Sequence, residues 1–429
     1  MIYYIDCFSG NDAYDGLSED LPKKSYGSVK PLPGDTLLFK RGTVNNGQLV
    51  TASGSDEAPV TYGAYGEGEN PVFCCSADLS FPEMWEEESE NIWVTRAVRD
   101  DEVCNIIFNG TANECGTLRW TKEDLCSQGD FHDNCFGFSS AGKPIKNHEI
   151  RMYSSKNPAL YYTSVQAALF GERFVISLSD NIVIENITVR NSGVHAIAGY
   201  FGGKNVKIRN CDFICIGGAV WNYERRIRFG NGIEFWNAAE NVEISLCHFD
   251  NIYDSAVTHQ GPHDTCAPAK NFIIDSNVFI RCGMAAYEQR DRMPEYAEFK
   301  FNLCLEAGEG FSKLGEVMPR RSEIWPQPMG HHLFLWRIEE PSCREGKLIV
   351  EWNNFDNAPY GAAFYSIIDG EAESQITMSN NSYFTKNPNL IARFGGIDYK
   401  TFEEYRDNKE PSSRWHGDCF YWLITGNKE

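Results

Sequence analysis

Basic residues are scarce in this 429-residue chain: 39 Lys and Arg stand against 60 Asp and Glu, a formal net charge of −21. A surface of that sign repels phosphate backbones and anionic lipid, so neither nucleic acid nor a membrane surface is expected as a partner. No apolar run approaches the ~18 residues of a membrane-spanning helix. The N-terminus, Met-Ile-Tyr-Tyr-Ile-Asp, carries no basic segment ahead of an apolar one, and the corresponding expectation is a cytoplasmic protein. A regular cysteine spacing is missing too. The 15 cysteines are odd in number and irregularly placed, which reads as reduced, mostly buried thiols and not as a disulfide framework. His259, His263 and Cys266 have the spacing closest to a metal motif, yet two intervals on a loop do not make one, and no cofactor is expected. Also lacking are a Pro-, Gly- or Ser-rich linker and any sustained 3.6-residue apolar stripe, so the chain reads as one domain that is not helical.

What is present is a repeat. Four segments begin with Asn and continue apolar, any, Ile: NIVIENITV from Asn181, NVKIRNCDF from Asn205, NVEISLCHF from Asn241 and NFIIDSNVF from Asn271. Within each, apolar residues alternate with period two, as in Val242, Ile244 and Leu246. A constant strand pattern at varying intervals suits the coils of a β-solenoid, whose extra residues loop out at one side. Six residues after each Asn come Ile187, Cys211, Cys247 and Asn277, which should stack as an internal ladder at about 4.8 Å per coil. A further strand follows in every coil: Ala196-Ile197-Ala198, Gly232-Ile233-Glu234, Ala256-Val257-Thr258 and Ala286-Tyr287-Glu288.

Later coils are expected at Phe299–Leu305 with Gly310-Phe311-Ser312, at Leu348–Phe355 with Ala362-Ala363-Phe364, and at Ile376–Tyr383. Near the N-terminus, PGDTLLFKRG is a turn feeding a strand, and DEAPVTYGAY repeats it. Asn105–Asn109 and Glu149–Ser154 read as intervening strands, and Trp120–Asp130 as a short helix or loop. The polar segment Tyr399–Glu410 suits a helix capping the open end, which would otherwise expose unpaired backbone. The fold expected is therefore an all-β, single-domain right-handed parallel β-helix. It divides into an N-terminal cap with first coils (about 1–75), a main solenoid with loop insertions (about 76–395) and a C-terminal cap (about 396–429).

The opening YYIDCFSGNDAYDGLSED, the PGDTLLFKRG turn and the NVxIxNC repeats resemble bacterial right-handed β-helix proteins of the pectate-lyase-like superfamily, over most of the chain. The resemblance implies the fold and a carbohydrate ligand. It leaves the chemistry open, because glycoside hydrolases, polysaccharide lyases, epimerases and binding proteins share that fold.

Candidate chemistry lies on the outer face of the last strand of each coil. Alternation points Ile233 and Phe235 inward and Glu234 and Trp236 outward, with Thr258 and Gln260, then Glu288 and Arg290, in the same places on the next two coils. Glu234 and Glu288 are thus two coil steps apart, roughly 10 Å at the backbone. Asp254, on the turn between them, completes a catalytic set whose individual roles stay open. Two carboxyl groups flanking a scissile bond are what glycoside hydrolysis needs. Ahead of Asn231 runs Trp221-Asn-Tyr-Glu-Arg-Arg-Ile-Arg-Phe-Gly, where Arg225, Arg226 and Arg228 can hold an acidic sugar and the aromatics can stack on a ring. His259 falls inward by alternation, as a core histidine, unless the strand ends there and the ring turns into the groove. His195 borders the same cleft, and His331, His332 and Trp336 can form another wall. The expected substrate contacts are Arg225, Arg226, Arg228, Asn231, Trp236, His259, Gln260 and Arg290. The leading function is a glycoside hydrolase acting on an oligosaccharide or polysaccharide. The alternatives are a lyase or epimerase acting on a uronic-acid glycan, for which the column has no lysine and the chain no clear Ca²⁺ cluster, and a non-catalytic glycan-binding solenoid.

Overall fold

The structure is a computed structural model that describes residues 1–98, 101–135, 148–200, 203–263, 265–314, 330–366, 374–387 and 389–417. The chain winds as a right-handed parallel β-helix with three long sheets. Residue Ile182 pairs with Val206, Val206 with Val242, Val242 with Phe272, and Phe272 with Ala297, so each repeat stacks in register on the one before. The first sheet runs from Ile2–Ile5 through Thr36–Lys40 and Val60–Tyr65 to Ile376–Ser379. Each nine-residue repeat is two strands and not one: Ile182–Glu185 belongs to the first sheet and Thr188–Ser192 to the second. Between them Asn186, Asn210, Leu246 and Ser276 take positive φ, which bends the chain from one sheet to the next.

The repeats begin with Asn for a similar reason. Asn181, Asn205, Asn241 and Asn271 all have φ between 50° and 56°, a left-handed conformation that Asn tolerates better than most residues. Their amides also stack, Asn205 donating to Asn181, Asn241 to Asn205 and Asn271 to Asn241 at 2.7–3.2 Å. The internal ladder after Ile187, Cys211 and Cys247 becomes asparagine. The backbone N–H groups of Cys247, Asn277, Asn302 and Asn353 each donate at 2.9 Å to the side-chain oxygen of the next ladder residue, ending on Asn381. Asn381 N–H in turn donates to Glu410, which follows the helix Phe402–Asn408 at the open end. Around this ladder the core is aromatic: Phe213, Phe249 and Phe279 stack with centroids 4.7 and 4.9 Å apart, and truncating any one of them should cost about 3–5 kcal/mol. Fourteen cysteines lie among the described residues, and ten of them are buried.

Two departures from the expected coils matter for the site. Phe311–Lys313 is a short 3-10 turn, not a strand; the coil that starts at Ala297 closes with His331–Trp336. That strand pairs with Ala285–Arg290, so Phe334 follows Glu288 and Trp336 follows Arg290. The second concerns residues 79–164. They hold a five-stranded sheet, from Glu86–Ser89 to Ile150–Tyr153, with its own core around Trp85, Phe131 and Met152. The insertion joins the solenoid through Val103–Phe108, which runs antiparallel to Val165–Leu169 of the second sheet.

Candidate active site

The third sheet presents the site. Its strands His195–Gly199, Ile233–Trp236, Ser255–Gln260, Ala285–Arg290 and His331–Trp336 lie side by side, with Glu234 opposite Thr258, Thr258 opposite Glu288 and Glu288 opposite Phe334. Over this column folds an antiparallel hairpin, Ala219–Asn222 with Ile227–Phe229. Strand face and hairpin enclose a groove of about 580 Å³. Glu234 and Glu288 line it while being 2 % and 1 % exposed, so both carboxyl groups depend on protein partners for their hydrogen bonds.

Those partners are built in. The Asn231 amide donates to Glu234 Oε2 at 2.7 Å, and His195 Nε2 lies 3.3 Å from the same oxygen. Glu288 Oε1 accepts the Trp336 indole N–H at 2.7 Å, and its Oε2 accepts the Ser255 hydroxyl at 2.9 Å. Ser255 N–H donates to Asn231 Oδ1, so a chain of hydrogen bonds runs from one carboxylate to the other. Burial lowers the affinity of the His195 imidazole for a second proton, and Arg173 adds to this although Glu234 opposes it. Burial also pushes the Tyr200 phenol up, with the Glu234 charge as the next cause.

The two ends of the groove are aromatic and cationic. At one end Tyr200 stacks on Trp236 with centroids 6.3 Å apart, and the Arg173 guanidinium lies 5.3 Å from the Tyr200 ring. At the other, Arg290 and Arg337 lie 5.3 and 5.8 Å from Trp336. Buried Asp291 anchors both of these arginines, Oδ2 on Arg290 Nε at 3.2 Å and Oδ1 on Arg337 Nε at 3.1 Å. Asp291 and Arg337 hold φ of 72° and 57°, the left-handed bend that turns the chain between sheets elsewhere in the solenoid. The hairpin rests on the insertion: Arg228 donates to Gly218 O and Cys104 O at 2.7 Å each, Tyr223 OH donates to Trp120 O, and Arg226 lies 6.0 Å from the Trp120 ring.

No protein-family model matches the chain. One segment is 30 % identical over 94 residues to the lacto-N-biosidase of Bifidobacterium longum subsp. longum, a match spanning 20 % of this chain and 6 % of that protein. Among solved structures, a GH136 lacto-N-biosidase from Eubacterium ramulus superposes with a TM-score of 0.52 at 14 % identity, over 97 % of this chain and 66 % of the other. XylC, solved in complex with xylose, gives 0.53 at 11 % identity over 97 % and 83 %. The pectate lyase Pel9A gives 0.52 at 12 % identity over 93 % and 72 %. What these proteins share with the chain is the β-helix.

His331 and His332, offered as a wall, do not line the groove; of the expected catalytic and substrate-contact residues, Glu234, Asp254, Glu288, Arg226, Arg228, Asn231, Trp236, Gln260 and Arg290 all line it. Two do not. Arg225 is exposed in the hairpin turn, its N–H capped by Asn222 Oδ1. His259 points into the solenoid, where Nδ1 takes the Gln289 amide at 2.8 Å and burial lowers its pKa to about 4; alternation holds to the end of the strand and leaves no turn into the groove. His263 is partly exposed beside Asp291 and Glu339, and no group of three metal-ligating side chains forms among the described residues. His195 and Trp336 lie nearer the candidate carboxylates than expected, His195 beside Glu234 and Trp336 on Glu288. Arg173, Tyr200 and Arg337 were missed. The available signal was register: Arg337 and Asp291 occupy equivalent turns, one coil apart.

Proposed function

We propose that this protein is a glycoside hydrolase acting on an oligosaccharide or polysaccharide laid along the third sheet, with Glu234 and Glu288 as its acid–base pair. The observation that carries the reading is two buried carboxylates in one column, two coils apart, each held from the side and both lining one groove. Two coil steps set their backbones roughly 10 Å apart, which suits a pair with room for a water molecule between sugar and base, as inversion requires. Asp254, on the turn between them, lines the groove as a third acid. Tyr200 with Trp236 at one end and Trp336 at the other supply faces and edges for sugar rings. The fold shared with a lacto-N-biosidase and with a xylose-binding β-helix supports a carbohydrate ligand.

A second reading rests on the arginines. Arg173, Arg290 and Arg337 offer partners for a uronic-acid carboxylate, which favours a lyase or epimerase, and the fold is also that of a pectate lyase. A panel of neutral and acidic glycans separates the readings. New reducing ends without ultraviolet absorbance are expected, and Glu234→Gln and Glu288→Gln should each lower turnover about 10²–10⁴-fold. An unsaturated, ultraviolet-absorbing product would replace hydrolysis with elimination. Glycan binding without turnover, unchanged in both variants, would make the groove a binding module.

A further inference from the structure

The inserted unit meets the solenoid at a second place, outside the groove. Beyond Val103–Phe108 the chain doubles back, Phe108 N–H donating to Glu114 O at 2.8 Å and Gly116 N–H to Ile106 O at 2.7 Å. This return packs on a row of left-handed residues near the ends of second-sheet strands. There Asn191, Cys215 and Asn251 are equivalent on successive coils, with φ of 54°, 56° and 61°. Ile107, Ala112 and Cys115 of the insertion form one cluster with Ala168, Ile214 and Cys215 of the solenoid.

Two free thiols are neighbours in that contact, Cys115 and Cys215. Asn251 is held beside them: its Oδ1 accepts Phe311 N–H at 2.9 Å and its Nδ2 donates to Ala112 O at 2.5 Å. The NH₂ therefore faces the sulfurs, 3.4 Å from Cys115 Sγ and 3.7 Å from Cys215 Sγ. Burial pushes the thiols of Cys74, Cys104, Cys211, Cys282 and Cys304 up. Cys115 goes the other way. Hydrogen bonds from Cys215, Asn105 and Asn251, with the Arg281 charge, hold it below the ordinary thiol value although burial opposes them. The contact with Cys115 raises Cys215 in turn. Cys115 is also partly exposed, whereas Cys215 is buried. A reachable, more acidic thiol beside a hidden one is the arrangement in which the first is oxidised and the second resolves it.

We propose that Cys115 and Cys215 form a redox-modification site whose oxidant is a hydroperoxide and whose product is a disulfide stapling the inserted unit to the solenoid. The Cys115 thiolate attacks a peroxide oxygen: an S–O bond forms, the O–O bond breaks, and its electron pair leaves as hydroxide or alkoxide, which takes a proton from solvent. Cys115 becomes a sulfenic acid, oxidised by two electrons as the peroxide is reduced by two. Cys215 then gives up its proton and attacks the Cys115 sulfur. The S–S bond forms, the S–O bond breaks, and hydroxide departs with that proton as water. The staple fixes the strand Val103–Phe108, whose Cys104 O holds Arg228 of the hairpin. It needs nothing of the chemistry in the groove.

Wild-type protein treated with limiting hydrogen peroxide, alkylated and mapped without reduction should yield a Cys115–Cys215 linked peptide before the exposed Cys126 is modified. This map requires no variant to fold. In Cys215→Ser the link should be lost and Cys115 should be trapped by dimedone as the sulfenic acid, whereas Cys115→Ser should give neither link nor adduct. Amide exchange in Val103–Phe108 should slow about tenfold or more in the oxidised protein and recover on reduction. No link, a link from either cysteine to a different residue, or earlier oxidation of Cys126 would overturn the assignment. A Cys115–Cys215 link that leaves exchange unchanged would refute the staple.

Discussion

Removing the Glu410 carboxylate should unfasten the last coils of the solenoid and leave the first ones untouched. Glu410 Oε1 accepts Asn381 N–H at 2.9 Å and Asn381 Nδ2 at 3.0 Å, and Oε2 accepts the hydroxyls of Tyr383 at 2.6 Å and Tyr405 at 2.9 Å. In Glu410→Ala the two hydroxyls, 3.1 Å apart, can bond each other, but Asn381 N–H is left buried without an acceptor and Asn381 Nδ2 keeps only its bond to Val350 O, so two N–H hydrogens are orphaned. At about 1–3 kcal/mol per orphaned donor, less the desolvation cost that the carboxylate no longer incurs, the net loss should be about 3–4 kcal/mol. Coils of a solenoid contact only their neighbours, so the loss should be read locally. Hydrogen exchange should show protection falling roughly 100- to 1,000-fold in Ile376–Ser379 and Ser382–Phe384, with the strands near Ile182 unchanged. Burial raises the Glu410 carboxyl above its ordinary range despite these bonds, so the stability it confers is greatest below the unfolded value near ~4.3 and declines as pH rises through the folded one. Glu410→Gln should abolish that part of the pH dependence. A loss of protection below tenfold in Glu410→Ala, or one spread evenly over the chain, would refute the idea that this side chain terminates the ladder.

Two more outcomes follow from the same geometry. Because the His259 pKa is depressed to about 4 by complete burial, stability present above ~6.5 should be lost as pH falls toward 4, by on the order of 3 kcal/mol; urea midpoints between pH 7 and pH 4 should fall less in His259→Gln, and an equal fall would refute the assignment. Gly230 has φ 139°, and a Cβ there would sit 2.3 Å from Gly217 Cα and 2.6 Å from Val194 O, so Gly230→Ala should lift the hairpin from the groove, raising KM and the rate of proteolysis within residues 219–229, while unchanged values of both would show that the hairpin does not form the groove wall.

The β-helix was legible because its signals are local. Asn at a left-handed bend and alternating apolar residues recur in the four successive coils that start at Asn181, Asn205, Asn241 and Asn271, and the first-sheet register there follows from them. Ile197, Ile233, Val257 and Tyr287 stack as the small–apolar–outward pattern implies, and with them the Glu234–Thr258–Glu288 column. Local patterns failed where a long stretch of sequence separates two strands of one coil. Between Leu303–Leu305 and His331–Trp336 some 25 residues intervene, and Gly310-Phe311-Ser312 imitates the expected motif, which hid Trp336 from the column it joins. The inserted five-stranded sheet between Glu86 and Tyr153 is antiparallel except where Thr117–Leu118 meets Asp130–Asp133, and nothing in a solenoid repeat announces it. The orientation of Asn231 and His195 beside Glu234 was beyond reach for a different reason: Asn231 Oδ1 is held by Ser255 N–H and His195 Nδ1 by Asn231 N–H, groups every residue but proline possesses.

The hairpin over the groove touches two bodies at once. Val220 N–H donates to Glu102 Oε1 and Arg228 to Cys104 O, both on the inserted unit, while Phe229 packs near His195 on the solenoid. Groove and insertion therefore share a wall, and their free energies are linked. A ligand that binds better with the wall seated must hold the inserted sheet closed by the same increment, and anything that loosens that sheet must weaken the ligand reciprocally. Sequence change far from the sugar, in the core around Trp85 and Phe131, thereby becomes a means of tuning affinity.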